Sequence, residues 1–417
     1  MADGEVAVLV VGGGPVGLTA RALLERWGIR VLLVERQGEL SPFPRSRLVN
    51  VRSMEIYRRL GLAAEITANA FAPEYGRIRF RDTMQDHDFA AAATTGINAP
   101  VPESPVTGVV TSQDRLEPTL LAAAKSPARF GAELVDLAEE AGSVVALLAG
   151  RRRGAETRVR ARYVLAADGA NSTARRLLGI GTAGPGRVGG FTTVVFDGDL
   201  RRWCADQPAG VYFTAHGLVA PLYPEGGYAW FVPTPGEGAD ADWPGLLSRA
   251  LGPDVRADIV RIQHWVMNAF VAERFRHGRI LLSGDAAHAM PIVGGLGMNA
   301  GIADVHNLCW KAVLRPARPG ARRHIPLRRR PVRRRSRSGA ARRGLRSQRR
   351  TRPSHAAPLA RPRPLDAGHV RRMVHPAHPG PRRMDAPGTM ASARRGPSWR
   401  ACRPLRPHIA RSAAHPA

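Results

Sequence analysis

The chain has 417 residues and a formal net charge of +28, but residues 1–314 hold 33 Lys+Arg against 32 Asp+Glu, whereas residues 315–417 hold 29 Arg, no Lys and only two acids, Asp366 and Asp385. The basic pI therefore belongs to the tail, which excludes the body as a nucleic-acid binder, because phosphate binding needs the positive field on the folded surface. The cysteines Cys204, Cys309 and Cys402 are odd in number and far apart, giving neither a disulfide framework nor a zinc spacing; no basic leader and no long apolar run occurs, so a cytoplasmic protein without a membrane partner is expected.

Residues 6–11, VAVLVV, form a short apolar run rich in β-branched residues, followed by GGGPVG and an apolar-periodic stretch from Leu18 to Trp27. That order is strand, turn, helix. Residues 30–34, RVLLV, repeat the buried-strand pattern and stop at Glu35, which completes a βαβ unit with parallel strands. A helix is expected over 53–69 with Gly61 as a stop, and another over 112–124 with Ser112 as its cap. Val144–Leu148 and Thr157–Val164 read as paired strands, with Arg151, Arg152 and Arg153 at a solvated hairpin tip.

From Gly184 to Phe275 the texture changes to short alternating runs, GVYFTAHGLVAPLYP and GYAWFVPT, which read as antiparallel strands. Alternation sets Tyr212, Thr214 and His216 on one face and Val211, Phe213 and Ala215 on the other. One face should pack on a core; the other is available to line a pocket for a flat substrate. The runs RYVLAADGA and GRILLSGDAAHA then return to the strand-and-turn pattern of the start, so an α/β nucleotide domain is interrupted by an inserted β-sheet domain and resumed.

In the tail Arg, Pro and Ala supply 62 of 103 residues, too little apolar content for a core, and disorder is expected there. These are the residues that GC-rich codons yield out of register, so a frameshift near codon 314 is expected, with a genuine basic interaction tail as the alternative. With the native continuation lost, the chain as written is expected to be poorly stable and inactive.

Gly12, Gly14 and Gly17 stand in the G-x-G-x-x-G pattern around Pro15 and Val16, and Glu35, followed by Arg36, ends the next strand. The first glycine permits the tight turn, the second lets backbone approach a pyrophosphate, and the third lets helix and strand pack closely. The helix N-terminus offers free N–H groups to phosphates, and Glu35 can accept from a ribose. This marks a dinucleotide site without separating FAD from NAD.

Three further motifs stand in order: Asp168-Gly169 after a strand, Gly284-Asp285 after another, and the glycine loop Gly294–Asn299 before a helix beginning near Ala300. With them the chain resembles the single-component FAD-dependent aromatic hydroxylases, class A flavoprotein monooxygenases of the para-hydroxybenzoate hydroxylase fold. It is most similar to the aromatic polyketide and chlorophenol hydroxylases. The resemblance covers most of residues 6–313 and implies a discontinuous Rossmann-like FAD-binding domain (1–75, 104–183 and 276–314). The antiparallel substrate domain is then 76–103 and 184–275, and the tail 315–417 stands apart.

By that resemblance Asp168 lies near the FAD pyrophosphate and Asp285 holds the ribityl hydroxyls; a turn or helix cap is the alternative for each. Pro291, Gly295, Leu296, Gly297, Met298 and Asn299 would lie against the flavin, and the helix N-terminus there would favour the reduced, anionic ring. Arg45, in PFPRSR, and Gln113, in SQDRLEPTLL, are implied cofactor contacts, while His288 is structural. No second dinucleotide motif occurs, so NAD(P)H would dock transiently. The implied reaction has NAD(P)H reduce FAD, O2 add to give the C4a-hydroperoxide, and oxygen pass to a phenolic or polyketide-derived ring. The base is open, with His216 and the tyrosines as candidates. An oxidase or halogenase of the same fold is the alternative activity, although Lys125 and Lys311 both lie outside the inserted sheet.

Overall fold

The apolar runs at the start become β1 (Gly4–Val11) and β2 (Val31–Glu35), and α1 (Pro15–Arg26) crosses between them. Helix α1 begins three residues before Leu18 because Pro15, with its fixed φ, occupies the first helical position behind Gly14. After β3 (Leu48–Val49), the helix expected over 53–69 is two, α2 (Val51–Leu60) and α3 (Ala63–Ala68). Gly61 at φ 84° closes α2, as expected of a left-handed cap. β4 (Arg77–Phe80), β5 (Ala90–Ala93) and β6 (Val109–Val110) precede α4 (Gln113–Ala122), and β7 (Ala128–Phe130), β8 (Ala132–Glu140), β9 (Ser143–Gly150) and β10 (Glu156–Ala166) precede α5 (Thr173–Leu177). The computed structural model describes residues 4–150, 156–204, 208–236, 240–292 and 294–314. The expectations for the Arg151–Arg153 tip, for Cys402 and for the tail 315–417 with its frameshift lie outside these residues.

The long strands β11 (Thr182–Gly198) and β15 (Ala257–Ala272) enclose α6 (Arg201–Cys204), β12 (Val211–Thr214), β13 (Gly217–Tyr223), β14 (Gly226–Pro233) and α7 (Trp243–Leu251). The reading of 184–275 as strands alone missed α6 and α7; in α7 Asp242 accepts the Gly245 N–H, Pro244 sits in the first turn, and Trp243, Leu247 and Leu251 are buried. β16 (Arg276–His277), β17 (Ile280–Leu282), β18 (His288–Ala289) and α8 (Leu296–Leu314) close the described chain.

Among the described residues the strands form two sheets of eight and one of two. In the first, β7, β2, β1, β10 and β17 run parallel, β16 lies antiparallel at one edge, and β8 and β9 extend from β10. The chain leaves β1 for β2 on one side and for β10 on the other. In open sheets of this kind ligands bind at the carboxyl ends where the order reverses. The second sheet has the order β18-β15-β11-β14-β13-β12-β4-β5.

The two faces of that second sheet differ. Val194, Phe196, Tyr212, Val219 and Trp230 point into a core closed by Trp243, Leu247 and Leu251 of α7. Phe191, Thr193, Val195, Phe213, Leu218, Phe231 and Trp265 alternate onto the opposite face and stay half-buried. No helix among the described residues is long and apolar enough to cross a membrane.

Candidate functional site

Glu35 ends β2, and Gly12, Asp168 and Asp285 follow β1, β10 and β17, so the motifs meet at the carboxyl edge of the parallel sheet. Backbone bonds stitch the turns together: Gly12 N–H donates to Val34 O at 2.8 Å, Ala167 N–H to Val11 O at 2.8 Å, and Ser283 N–H to Ala166 O at 2.9 Å. The three motif glycines do different work. Gly12, at φ 108°, packs so closely that a Cβ would strike Ala167 O, and a Cβ on Gly17 would strike Gly12 O. At Gly14 a Cβ would meet nothing within 4 Å. That open side lies at the N-terminus of α1, whose first turn holds no acid and whose leading N–H groups lack helical acceptors.

Glu35 Oε2 accepts the Gly13 N–H at 2.6 Å and Oε1 accepts the Gln37 N–H at 2.8 Å, which fixes the carboxylate beside the glycine turn. Arg36 is exposed, Pro15 is buried, and Val16 packs between the 284 turn and α8 so closely that a Cβ on Gly301 would clash with it.

The two motif aspartates contrast. Asp168 is spent on its own turn: Oδ1 accepts from Ser172 Oγ at 2.6 Å and Oδ2 from the Ala174 N–H at 3.0 Å. Arg175 ties that turn to the other motif by donating to Ala170 O and Ala286 O. Asp285 has no hydrogen-bond donor among the described residues. It is exposed to solvent yet crowded by protein, and desolvation raises its carboxyl above the ordinary range, His288 opposing.

A Cβ on Gly297 would stand 3.6 Å from Asp285 Oδ1, so Asp285 lies beside the start of α8. That helix opens at Leu296 rather than near Ala300, because Leu296–Asn299 already take helical form behind Gly294 and Gly295, at φ 88° and 62°. Leu296 and Pro291 are exposed, and Met298 packs against the buried cluster that includes Leu18, Met54 and Ile302. Asn299 is buried and fully committed: Oδ1 accepts from Asn50 N–H and Ser53 Oγ, and Nδ2 donates to Leu48 O and Gly295 O. It staples the loop to β3 and α2.

Arg45 is exposed near Glu117, and Gln113 is buried with Nε2 donating to Glu117 Oε1 at 2.7 Å. Two residues next to the expected ones were not singled out by sequence. Arg47 reaches the second sheet, donating to Gly210 O at 2.7 Å and to Pro221 O; burial pushes it down to about 10. Glu117 is 1% exposed. A signal for it existed, since Gln113, Glu117 and Leu120 share one helical face.

On the second sheet, the open face is aromatic. Phe191 stacks on Trp265 with centroids 5.4 Å apart, and Trp265 Nε1 donates to Thr193 Oγ1. Arg261 from the same face lies over Phe43, which places the face toward the segment that carries Arg45. Of the candidate bases, Tyr212 faces the core with its hydroxyl accepting from the Ala209 N–H, and His216 lies in the exposed turn after β12. Tyr223 donates to Asp114 Oδ2 at 2.8 Å, and burial followed by that bond raises its pKa.

Fold and site together define an α/β dinucleotide-binding protein whose second sheet presents an open aromatic face. Residues 5–321 match the FAD binding domain family, and the chain belongs to that family. It is 37% identical to aklavinone 12-hydroxylase RdmE of Streptomyces purpurascens over 336 residues, 75% of this chain and 62% of the relative. It is 33% identical to 4-methyl-5-nitrocatechol 5-monooxygenase of a Burkholderia species, covering 75% and 61%. Among solved structures, a ternary complex of aklavinone-11 hydroxylase with FAD and aklavinone superposes with a TM-score of 0.69 at 35% identity, over 75% of this chain and 63% of that one. The chain thus spans about three fifths of the length of these relatives. Binding of FAD follows from the family, and the residues fit it: free helix N-termini and the open side of Gly14 suit a pyrophosphate, and the unpartnered Asp285 suits hydroxyl donors.

Proposed function

We propose that the protein is an FAD- and NAD(P)H-dependent monooxygenase that hydroxylates an aromatic ring, phenolic or polyketide-derived. The observation that carries this reading is the asymmetry of the second sheet, one face sealed by α7 and the other left half-open and aromatic toward the nucleotide site. A flat apolar ring complements that face, and the relatives named for aklavinone and nitrocatechol act on such rings.

In this reading Gly12, Gly14, Pro15, Val16 and Gly17 form the pyrophosphate turn, Glu35 and Arg36 take the ribose end, and Asp285 accepts from the ribityl hydroxyls. Arg45 and Gln113 flank the cofactor, and the Asp168 turn supports it. Pro291 and the Gly295–Asn299 turn of α8 lie along the isoalloxazine, where the helix N-terminus attracts negative charge. Bound FAD supplies electron uptake from NAD(P)H and oxygen transfer from O2. The chain's own part is to hold the substrate ring on the aromatic face, exclude water and keep both rings in register. The cytoplasmic setting proposed from the cysteine pattern agrees with use of NAD(P)H.

The test is reconstitution with FAD followed by NAD(P)H oxidation against simple and polycyclic phenols under 18O2. Substrate-stimulated oxidation with one labelled oxygen in the product is expected. Hydrogen peroxide without a hydroxylated product would instead indicate an oxidase.

A further inference from the structure

We infer that Glu117 is a positioning residue for the cofactor, orienting the Gln113 amide and anchoring the Ser41–Arg45 segment through one buried carboxylate. The inference rests on the FAD reading above. Glutamate is rarely fully buried without a cation, yet Glu117 is 1% exposed and no Lys or Arg stands within ion-pair distance of it among the described residues. Its donors are Gln113 Nε2, at 2.7 Å to Oε1, and the Ser41 N–H, at 3.3 Å to Oε2.

Both donors belong to elements on the cofactor side. Arg45 and Glu35 are close enough to act on Glu117 electrostatically, in opposite senses, while burial raises its pKa. A polar side chain set in a dry position, and bonded among the described residues only to two site elements, acts on their geometry.

The chemistry of the pair makes the inference specific. Both carboxylate oxygens are engaged as acceptors, Oε1 by Gln113 Nε2 and Oε2 by the Ser41 N–H, so the amide is held with its NH2 end inward. Gln113 Oε1 is then the free end and takes a hydroxyl donor. That selects a sugar-like hydroxyl of the cofactor over a phosphate oxygen, which would need the opposite orientation. Ser112 Oγ, wholly buried beside Gln113 with no partner among the described residues, adds a second polar atom at the same helix start.

A double-mutant cycle on the full chain tests this, with the FAD dissociation constant read from quenching of flavin fluorescence. Glu117→Ala and Gln113→Ala should each weaken binding about tenfold, and the double variant should be within about twofold of either single one, because neighbours in one network couple. Additive losses, about hundredfold in the double variant, would overturn the inference while leaving the Gln113 contact standing. Unchanged affinity in Gln113→Ala would overturn the cofactor role of Gln113 and the inference with it. A readout without flavin is tryptic cleavage after Arg45 in the apoprotein, which should be faster in Glu117→Ala than in wild type or Gln113→Ala; equal rates overturn the anchoring role. Should Glu117→Ala fail to fold, Glu117→Gln carries the same cycle, since it keeps one acceptor and cannot serve both donors.

Discussion

His288 Nε2 lies 2.7 Å from Asp304 Oδ2, and the same oxygen accepts the Gly284 N–H at 3.0 Å. One carboxylate on α8 thus secures both ends of the turn that carries Asp285. The bond from Asp304 raises the His288 pKa above its ordinary 6.5, with Asp285 adding in the same sense. A raised folded value means stability that is complete below the unfolded pKa and lost as pH climbs through the folded one. His288→Asn should therefore lower thermal stability most near about pH 6, by about 1–2 kcal/mol, and progressively less above the folded pKa. Melting curves across pH check it; a difference that does not vary with pH would show that the pair contributes no proton linkage.

Gly14 and Gly17 should separate binding from folding. Gly14→Val faces open space and should leave the apoprotein melting within about 1 kcal/mol of wild type while FAD is lost. Gly17→Ala must displace Gly12 O and should cost about 1–3 kcal/mol. Calorimetry of flavin-free protein beside flavin titration distinguishes the two, and full flavin content in Gly14→Val would count against the site.

The motif aspartates should behave oppositely. Asp285→Asn removes a carboxylate whose ionisation burial opposes, so the apoprotein should gain stability above the raised pKa, while Asp285→Ala weakens FAD binding by about 1–3 kcal/mol. Asp168→Ala loses a helix-capping acceptor and the Ser172 bond and should destabilise the apoprotein by about 1–2 kcal/mol. If Asp285→Ala leaves the flavin dissociation constant unchanged, its assigned role is wrong.

Adjacent residues on β14 offer a test of the two sheet faces. Trp230→Ala opens the α7 core and should cost about 3–5 kcal/mol. Phe231→Ala, on the half-open face, should spare most stability and raise an aromatic substrate's dissociation constant about tenfold. Equal stability losses without a binding change would place the substrate elsewhere.

What the sequence disclosed was local. The GGGPVG turn, the Gly61 stop and the alternation through Val211–Thr214 depend on residues within one turn or one strand, where backbone geometry leaves a visible period. Asn299 was legible as part of a glycine loop, but its four bonds go partly to Leu48, Asn50 and Ser53, which no spacing reveals. Arg47 looks like its neighbour Arg45 until the fold brings Gly210 and Pro221 to it. Glu117 shares a helical face with Gln113 and Leu120, but its burial is a property of what packs over α4. The start of α8 was misplaced because glycines that suit a loop also suit a helix end lying close to another chain segment.

The Asn50 N–H and Asn299 Oδ1 are 249 residues apart in the chain and 2.9 Å apart in space. A ribosome adding about 5–20 residues/s separates the emergence of the two partners by roughly 12–50 s. Throughout that interval the nascent chain holds the glycine turn after β1 without the residue that staples β3 and α2 to α8. Closure of that end therefore waits for α8 to leave the exit tunnel, however early the first βαβ unit has formed.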